Sequence, residues 1–131
     1  MTTFTTRAPR LCGVVTALPE RVSENADLAA SFGEGTMAKI IAATGIERRP
    51  ISDHHTVSEL GAAAAEHLLE RLGWARETVG LLIVITQTPD YPLPSTACVL
   101  QHKLGLATYT AALDIALGCS GYVYGLSLIH I

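Results

Sequence analysis

The run Gly80–Thr86, GLLIVIT, constrains this 131-residue chain more than any other stretch. It carries no charge and is rich in β-branched side chains, yet it is far shorter than the roughly 18 apolar residues a membrane span needs. A run that offers water nothing on either side belongs to a strand inside a parallel sheet with both faces covered. Helical periodicities flank it, so the order of segments predicts an α/β protein with a largely parallel sheet. The next segment, Gln87–Pro94 (QTPDYPLP), holds three prolines and reads as an irregular loop at the strand's carboxyl end. In open α/β sheets that end is where ligand sites gather.

A second apolar run, Ala112–Leu128 (ALDIALGCSGYVYGLSL), turns a strand into a helix around one cysteine. Leu113, Ile115 and Leu117 are apolar and only Asp114 interrupts them, which suits a short buried strand. Gly118 and Gly121 bracket Cys119 and Ser120 and allow a sharp turn with close backbone approach. Tyr122, Val123, Gly125, Leu126 and Leu128 continue at helical spacings. Cys119 therefore falls at a predicted helix N-terminus, where unpaired N–H groups and the helix dipole favour an anion. Thiolate is the reactive form of cysteine, so one reading is a nucleophile. The other is a buried structural thiol between glycines that serve only tight strand–helix packing. This stretch alone does not separate the two.

Upstream, Arg10–Thr16 is β-prone and closes at Leu18–Pro19, because proline cannot continue a central ladder; a strand is predicted there. Ser23 and Asn25 are candidate N-caps for a short helix through Ala30, with Asp27 near its positive end. Gly33 and Gly35 break it, and Met37–Ala43 forms a further helical turn or two ended by Gly45 as C-cap. Ile46–Ile51 is extended, since Pro50 pushes Arg49 out of helical geometry. Ser52–Thr56 is a loop whose adjacent His54 and His55 diverge on any regular backbone; they make a poor chelating pair and read as solvated.

Thr56 and Glu59 form a capping box for the helix SELGAAAAEHLLERLG. Leu60, Ala64, Leu68 and Leu72 fall on one face with Ala63 and Leu69 beside them, while Glu59, Glu66, Glu70 and Arg71 take the other. The alanine-rich middle implies close packing against a neighbour, His67 sits at the boundary, and Gly73 ends the helix. Ser95–Leu104 is a further helix, capped by Ser95 or Thr96 and followed by Gly105, with Cys98 as buried packing.

Composition narrows the function classes. The length fits one domain, yet 49% of residues are hydrophobic and 16% charged, and mean hydropathy is +0.34. So apolar a surface calls for cover by a partner subunit or by further polypeptide. A net charge of -3 with scattered Lys and Arg offers no basic stripe for nucleic acid. No apolar run spans a membrane, and the threonine-rich start lacks the apolar core of a signal peptide, so the expected location is the cytoplasm. Cys12, Cys98 and Cys119 are odd in number and far apart, excluding a disulfide framework or a CxxC metal pair. P-loop, G-x-G-x-x-G and H-E-x-x-H motifs are absent.

The segments TGIERR (Thr44–Arg49), VITQTPDYPLPSTACVLQHKLGL (Val84–Leu106) and DIALGCSGYVYGLSL (Asp114–Leu128), in that order, resemble the amino-terminal half of the β-ketoacyl-acyl carrier protein synthase III family, within the thiolase-like condensing enzymes. The Cys-Ser-Gly turn after an apolar strand is the most specific element. The resemblance implies an incomplete amino-terminal half of a five-layered α-β-α-β-α sandwich, with residues 1–131 as one partial domain. It also implies that Cys119 is the nucleophile of a decarboxylative Claisen condensation. Cys119 would accept an acyl group from an acyl-CoA or acyl-acyl carrier protein thioester, and malonyl-acyl carrier protein would supply the attacking carbanion.

The same resemblance implies a homodimer, a place in fatty-acid or polyketide biosynthesis, and no cofactor or metal. The family's decarboxylating histidine and asparagine come from the carboxyl-terminal half, so the isolated chain is expected to lack condensing activity. His130 lies at the wrong place in the chain to serve, and the closing LIHI departs from the family pattern. Leu93 matches the loop position that in the family reaches into the partner subunit's acyl tunnel; otherwise it packs on its own domain. Lys39 and Ala43 stand where the best-known members carry a tryptophan and an arginine against the adenine end of coenzyme A. Lys39 can meet a phosphate as a point charge, or stand solvated. Two alternatives stay open: an acyltransferase relative without chain extension, and a non-catalytic pairing subunit.

Overall fold

A computed structural model of the chain describes residues 10–130, apart from the His130 side chain. The start of the chain searched for a leader (Met1–Pro9) and the Ile131 end of LIHI lie outside the described residues. Two compact units emerge. One joins the described residues up to Ala17 to those from Thr56 onward, and the other is Leu18–His55.

The larger unit is built on two parallel strands, β3 (Leu81–Ile85) and β4 (Ala111–Ile115), paired from Leu81↔Ala111 to Ile85↔Ile115. The Thr86 amide donates to the Ile115 carbonyl at 3.2 Å and carries the ladder one residue further. Helix α3 (Val57–Leu72) precedes β3, and α4 (Thr96–Lys103) crosses over between the strands, as a parallel pair requires. Alternation along β3 divides the layers. Leu82 and Val84 point into a core with Ala97, Leu100, Leu104 and Leu106, while Ile83 and Ile85 turn to α5 (Gly121–His130). The pair is thus covered by α3 and α4 on one face and by α5 on the other.

Local signals explain the ends of α3. The Thr56 side chain accepts from the Glu59 amide while Glu59 accepts from the Thr56 amide, and Gly73 closes the helix at φ 64°. Its inward face is rotated from the expected one: Ala62 and Ala65 pack on the core and Ala63 is exposed. The close approach lies at Gly61, where a Cβ would come within 3.4 Å of a Leu100 methyl.

In the smaller unit β1 (Val22–Glu24) and β2 (Arg48–Pro50) pair antiparallel, Val22↔Pro50 to Glu24↔Arg48. Between them lie a 3₁₀ turn at Asn25–Leu28, α1 (Ala29–Phe32) and α2 (Glu34–Thr44). Gly33 (φ 85°) separates the helices and Gly45 (φ 69°) closes α2.

Four expectations are corrected. Arg10–Thr16 forms no strand: among the described residues no backbone ladder bonds reach it, and Gly13 instead faces Leu68 and Leu72 of α3. Ser23 and Asn25 do not cap a helix, because Ser23 is in β1 and the Asn25 side chain is committed elsewhere. It donates to the Ile46 carbonyl and accepts from Arg49 Nε, both at 2.7 Å, which ties TGIERR to β1 and explains why Asn25 is buried. Gly35 does not break the chain but lies inside α2. Cys98 is exposed rather than core, since α4 buries Thr96, Ala97 and Leu100 on its other side.

Candidate active site

Both loops that leave the carboxyl ends of β3 and β4 emerge at one edge, because the strands are parallel and in register. The first runs from Thr86 to Ser95 and the second from Ala116 to Ser120. Cys119 lies exposed in the second, on a turn closed by the Gly121 amide donating to the Gly118 carbonyl at 2.9 Å. The Tyr124 amide donates to the Ser120 carbonyl at 3.2 Å, so Ser120 is the residue from which α5 starts and Cys119 immediately precedes it. The cysteine thus sits where the sequence places it, beside the first unpaired amides of a helix. Its side chain is exposed in this chain.

Glycines hold this turn against β3. A Cβ on Gly121 would lie 2.5 Å from Ile85 Cγ2, and one on Gly125 would lie 2.5 Å from Ile85 Cδ1. Helix α5 therefore presents two glycines to Ile85, whose side chain is seated against both, while Tyr122, Leu126 and Ile129 flank the contact. The third glycine of the series, Gly118, faces Gln87.

The first loop is held by carboxylates at its middle and just past its far end. Asp90 Oδ1 accepts from the Ser58 amide at 3.1 Å and so caps α3. Burial pushes the Asp90 carboxyl up, but hydrogen bonds from the Ser58 side chain and amide and from Thr56, with the charge of Lys103, hold it below its ordinary value. At the far end Asp114, the one charge in β4, accepts from the Thr96 amide through Oδ2 and from the Ala97 amide through Oδ1, both at 2.7 Å. These are the first two donors of α4, and Ser95 serves the third, the Cys98 amide. Asp114 thereby ties the strand that leads to Cys119 to the helix that follows the Leu93 loop.

Leu93 lies in the first loop, 85% exposed, before a cis peptide to Pro94. Lys39 is exposed on α2, in the smaller unit. His54 and His55 are exposed in their loop, where the Ser52 hydroxyl accepts from the His55 amide and donates to its carbonyl. Among the described residues no group of three His, Cys, Asp or Glu could hold a metal ion, and no helix is long and apolar enough to cross a membrane.

Sequence reasoning missed three contributors. Asp114 stood only as an interruption of the strand, although a lone carboxylate on a buried face signals a helix to be capped. Asp90 and Gln87 stood only as loop, and their partners are distant in sequence.

This arrangement, a parallel pair under helices on both faces with a cysteine between strand and helix, is that of the thiolase-like condensing enzymes. The 3-oxoacyl-(acyl-carrier protein) synthase of Burkholderia xenovorans matches with TM-score 0.81 and 38% identity, over 90% of this chain and 35% of that one. The synthase III of Aquifex aeolicus matches at 0.78 and 32%, over 89% and 37%. Within that class the chain is homologous to part of β-ketoacyl-[acyl-carrier-protein] synthase III. It is 41% identical over 120 residues to the protein of Thiobacillus denitrificans and 39% over 120 residues to that of Serratia proteamaculans. These alignments take in 91% of the chain, and the chain spans 37% of the length of either relative. No family model matches.

Proposed function

We propose that the chain belongs to an enzyme performing a decarboxylative Claisen condensation, with Cys119 as the acyl-carrying nucleophile. The observation that carries the reading is the exposed thiol on the β4–α5 turn, in a chain homologous to β-ketoacyl-[acyl-carrier-protein] synthase III. In the first step Cys119 Sγ attacks an acyl thioester carbonyl, and the donor's C–S bond breaks as its thiolate leaves. The Cys119 N–H is one donor to the oxyanion. In the second, malonyl-acyl carrier protein loses CO2 and its carbanion attacks the acyl carbonyl. The bond to Sγ then breaks, returning the thiolate and releasing a β-ketoacyl thioester.

Leu93 reaches into the partner subunit's acyl tunnel in this reading, and Lys39, exposed in the smaller unit, is a point charge for a phosphate. The partners are an acyl carrier protein, the acyl thioester and a second subunit, and residues 1–131 are one part of the thiolase-like domain. Mass spectrometry of the intact enzyme after incubation with an acyl thioester tests it. An acyl adduct on Cys119, abolished in Cys119→Ser, is the expected result. An adduct that forms but consumes no malonyl thioester leaves an acyltransferase, and no adduct at all rejects the nucleophile.

A further inference from the structure

Gln87 is the first residue beyond the β3–β4 ladder, and its side chain lies on the Cys119 turn. Its Oε1, Cδ and Nε2 fall 3.0, 3.4 and 3.6 Å from the point a Cβ on Gly118 would occupy. The carboxamide end of Gln87 thus lies against the side of Gly118 where a side chain would project. Gly118 is not among the glycines with positive φ, so its backbone accepts any L-residue. A Cβ at 118 would press on the Gln87 carboxamide, which is exposed and would have to give by a few tenths of an ångström. Among the described residues the carboxamide has no hydrogen-bond partner, so this contact is what Gln87 contributes to the fold.

The contact bears on Cys119 directly. Ile85 holds the turn from the α5 side, at Gly121 and Gly125, and Gln87 holds it from the β4 side, at Gly118. Cys119 and Ser120 are the two residues between these supports. We propose that Gln87 is a positioning residue for the nucleophile, packing on the Gly118–Cys119 peptide so that thiol and amide keep one orientation toward the acyl donor. The role rests on Cys119 being the acyl acceptor, but the packing can be tested without that.

Two measurements on the intact enzyme separate the possibilities. Iodoacetamide labelling followed by peptide mass spectrometry gives the Cys119 rate, with exposed Cys98 as a reference thiol in the same molecule. Gln87→Ala is expected to change the Cys119:Cys98 ratio at least about threefold, while Gln87→Met, of equal length, keeps it near wild type because the contact is one of shape. Gly118→Ala pushes a methyl into the carboxamide and perturbs the ratio as well. Adding Gln87→Ala to Gly118→Ala removes the obstruction and returns the ratio toward that of Gln87→Ala alone. In acyl transfer from a thioester, Gln87→Ala is expected to lower the maximal rate about tenfold with the half-saturating donor concentration unchanged. If Gln87→Ala leaves the labelling ratio within error, or the double variant behaves as Gly118→Ala does, the packing role is refuted whatever Cys119 does. If labelling responds and acylation of wild-type Cys119 is absent, the packing stands and the proposed condensation fails.

Discussion

Asp114→Asn is the substitution whose outcome follows most directly from the geometry. Both carboxylate oxygens accept from main-chain N–H groups at 2.7 Å, and the donors belong to Thr96 and Ala97, each 0% exposed, so water cannot replace the lost acceptor. The amide keeps one acceptor and presents N–H to N–H at the other position. One charge-assisted bond, typically about 1.5–3 kcal/mol, is lost, and the survivor falls to the neutral range of about 0.5–1.5 kcal/mol. A net cost of about 3 kcal/mol is expected, and Asp114→Ala, which orphans both donors, costs more. With a urea slope of about 1–3 kcal/mol per molar, the unfolding midpoint drops by about 1–3 M. Ser95→Ala is the control at the same helix end: its hydroxyl accepts from the Cys98 amide at 3.4 Å, too long to hold much, and about 0.5 kcal/mol is expected. Equal costs for Asp114→Asn and Ser95→Ala, or a midpoint unmoved by Asp114→Asn, would show that the carboxylate does not anchor α4.

Gly125→Ala brings a methyl onto Ile85 Cδ1 and is expected to cost about 1–3 kcal/mol, with Ile85→Val recovering part of it by removing the atom struck; urea unfolding of the single and double variants reads this out. Thr56→Ala removes one half of the capping box at α3 and is expected to cost about 1 kcal/mol by the same assay. The Asp90 carboxyl is held below its unfolded value of 3.8, so it adds stability above that pH and loses it as pH falls through the depressed folded value. Unfolding curves between pH 6 and the acid range, whose lower bound of about 2 lies beneath ordinary carboxylate values, should show a shallower decline in Asp90→Asn than in wild type.

What could be read from residues alone was what residues settle among near neighbours. The Thr56–Glu59 box, the stops at Gly45 and Gly73, and the strand through Val84 depend on contacts or periodicities spanning a few positions, and they stand where they were expected. The resemblance of the Cys-Ser-Gly turn pointed to the condensing enzymes, and the fold and homologues agree. Long-range pairing defeated the rest. Asn25 carries the chemistry of a cap, yet Ile46 and Arg49, more than twenty positions away, take its side chain. Cys98 reads as core by residue type, but helical phase turns it outward once Thr96, Ala97 and Leu100 face the sheet. Arg10–Thr16 has strand propensity without a ladder partner among the described residues, and propensity alone closes no hydrogen bonds.

The seat of Ile85 between Gly121 and Gly125 leaves no room for adjustment: sliding α5 by a residue in either direction would drive a side chain into the isoleucine. Tyr122, Val123 and Tyr124 of the same helix are exposed in this chain, a largely apolar face of the kind that calls for cover by a partner subunit or further polypeptide. One helix thus has a side fixed by its contact with β3 and another that offers apolar surface for that cover.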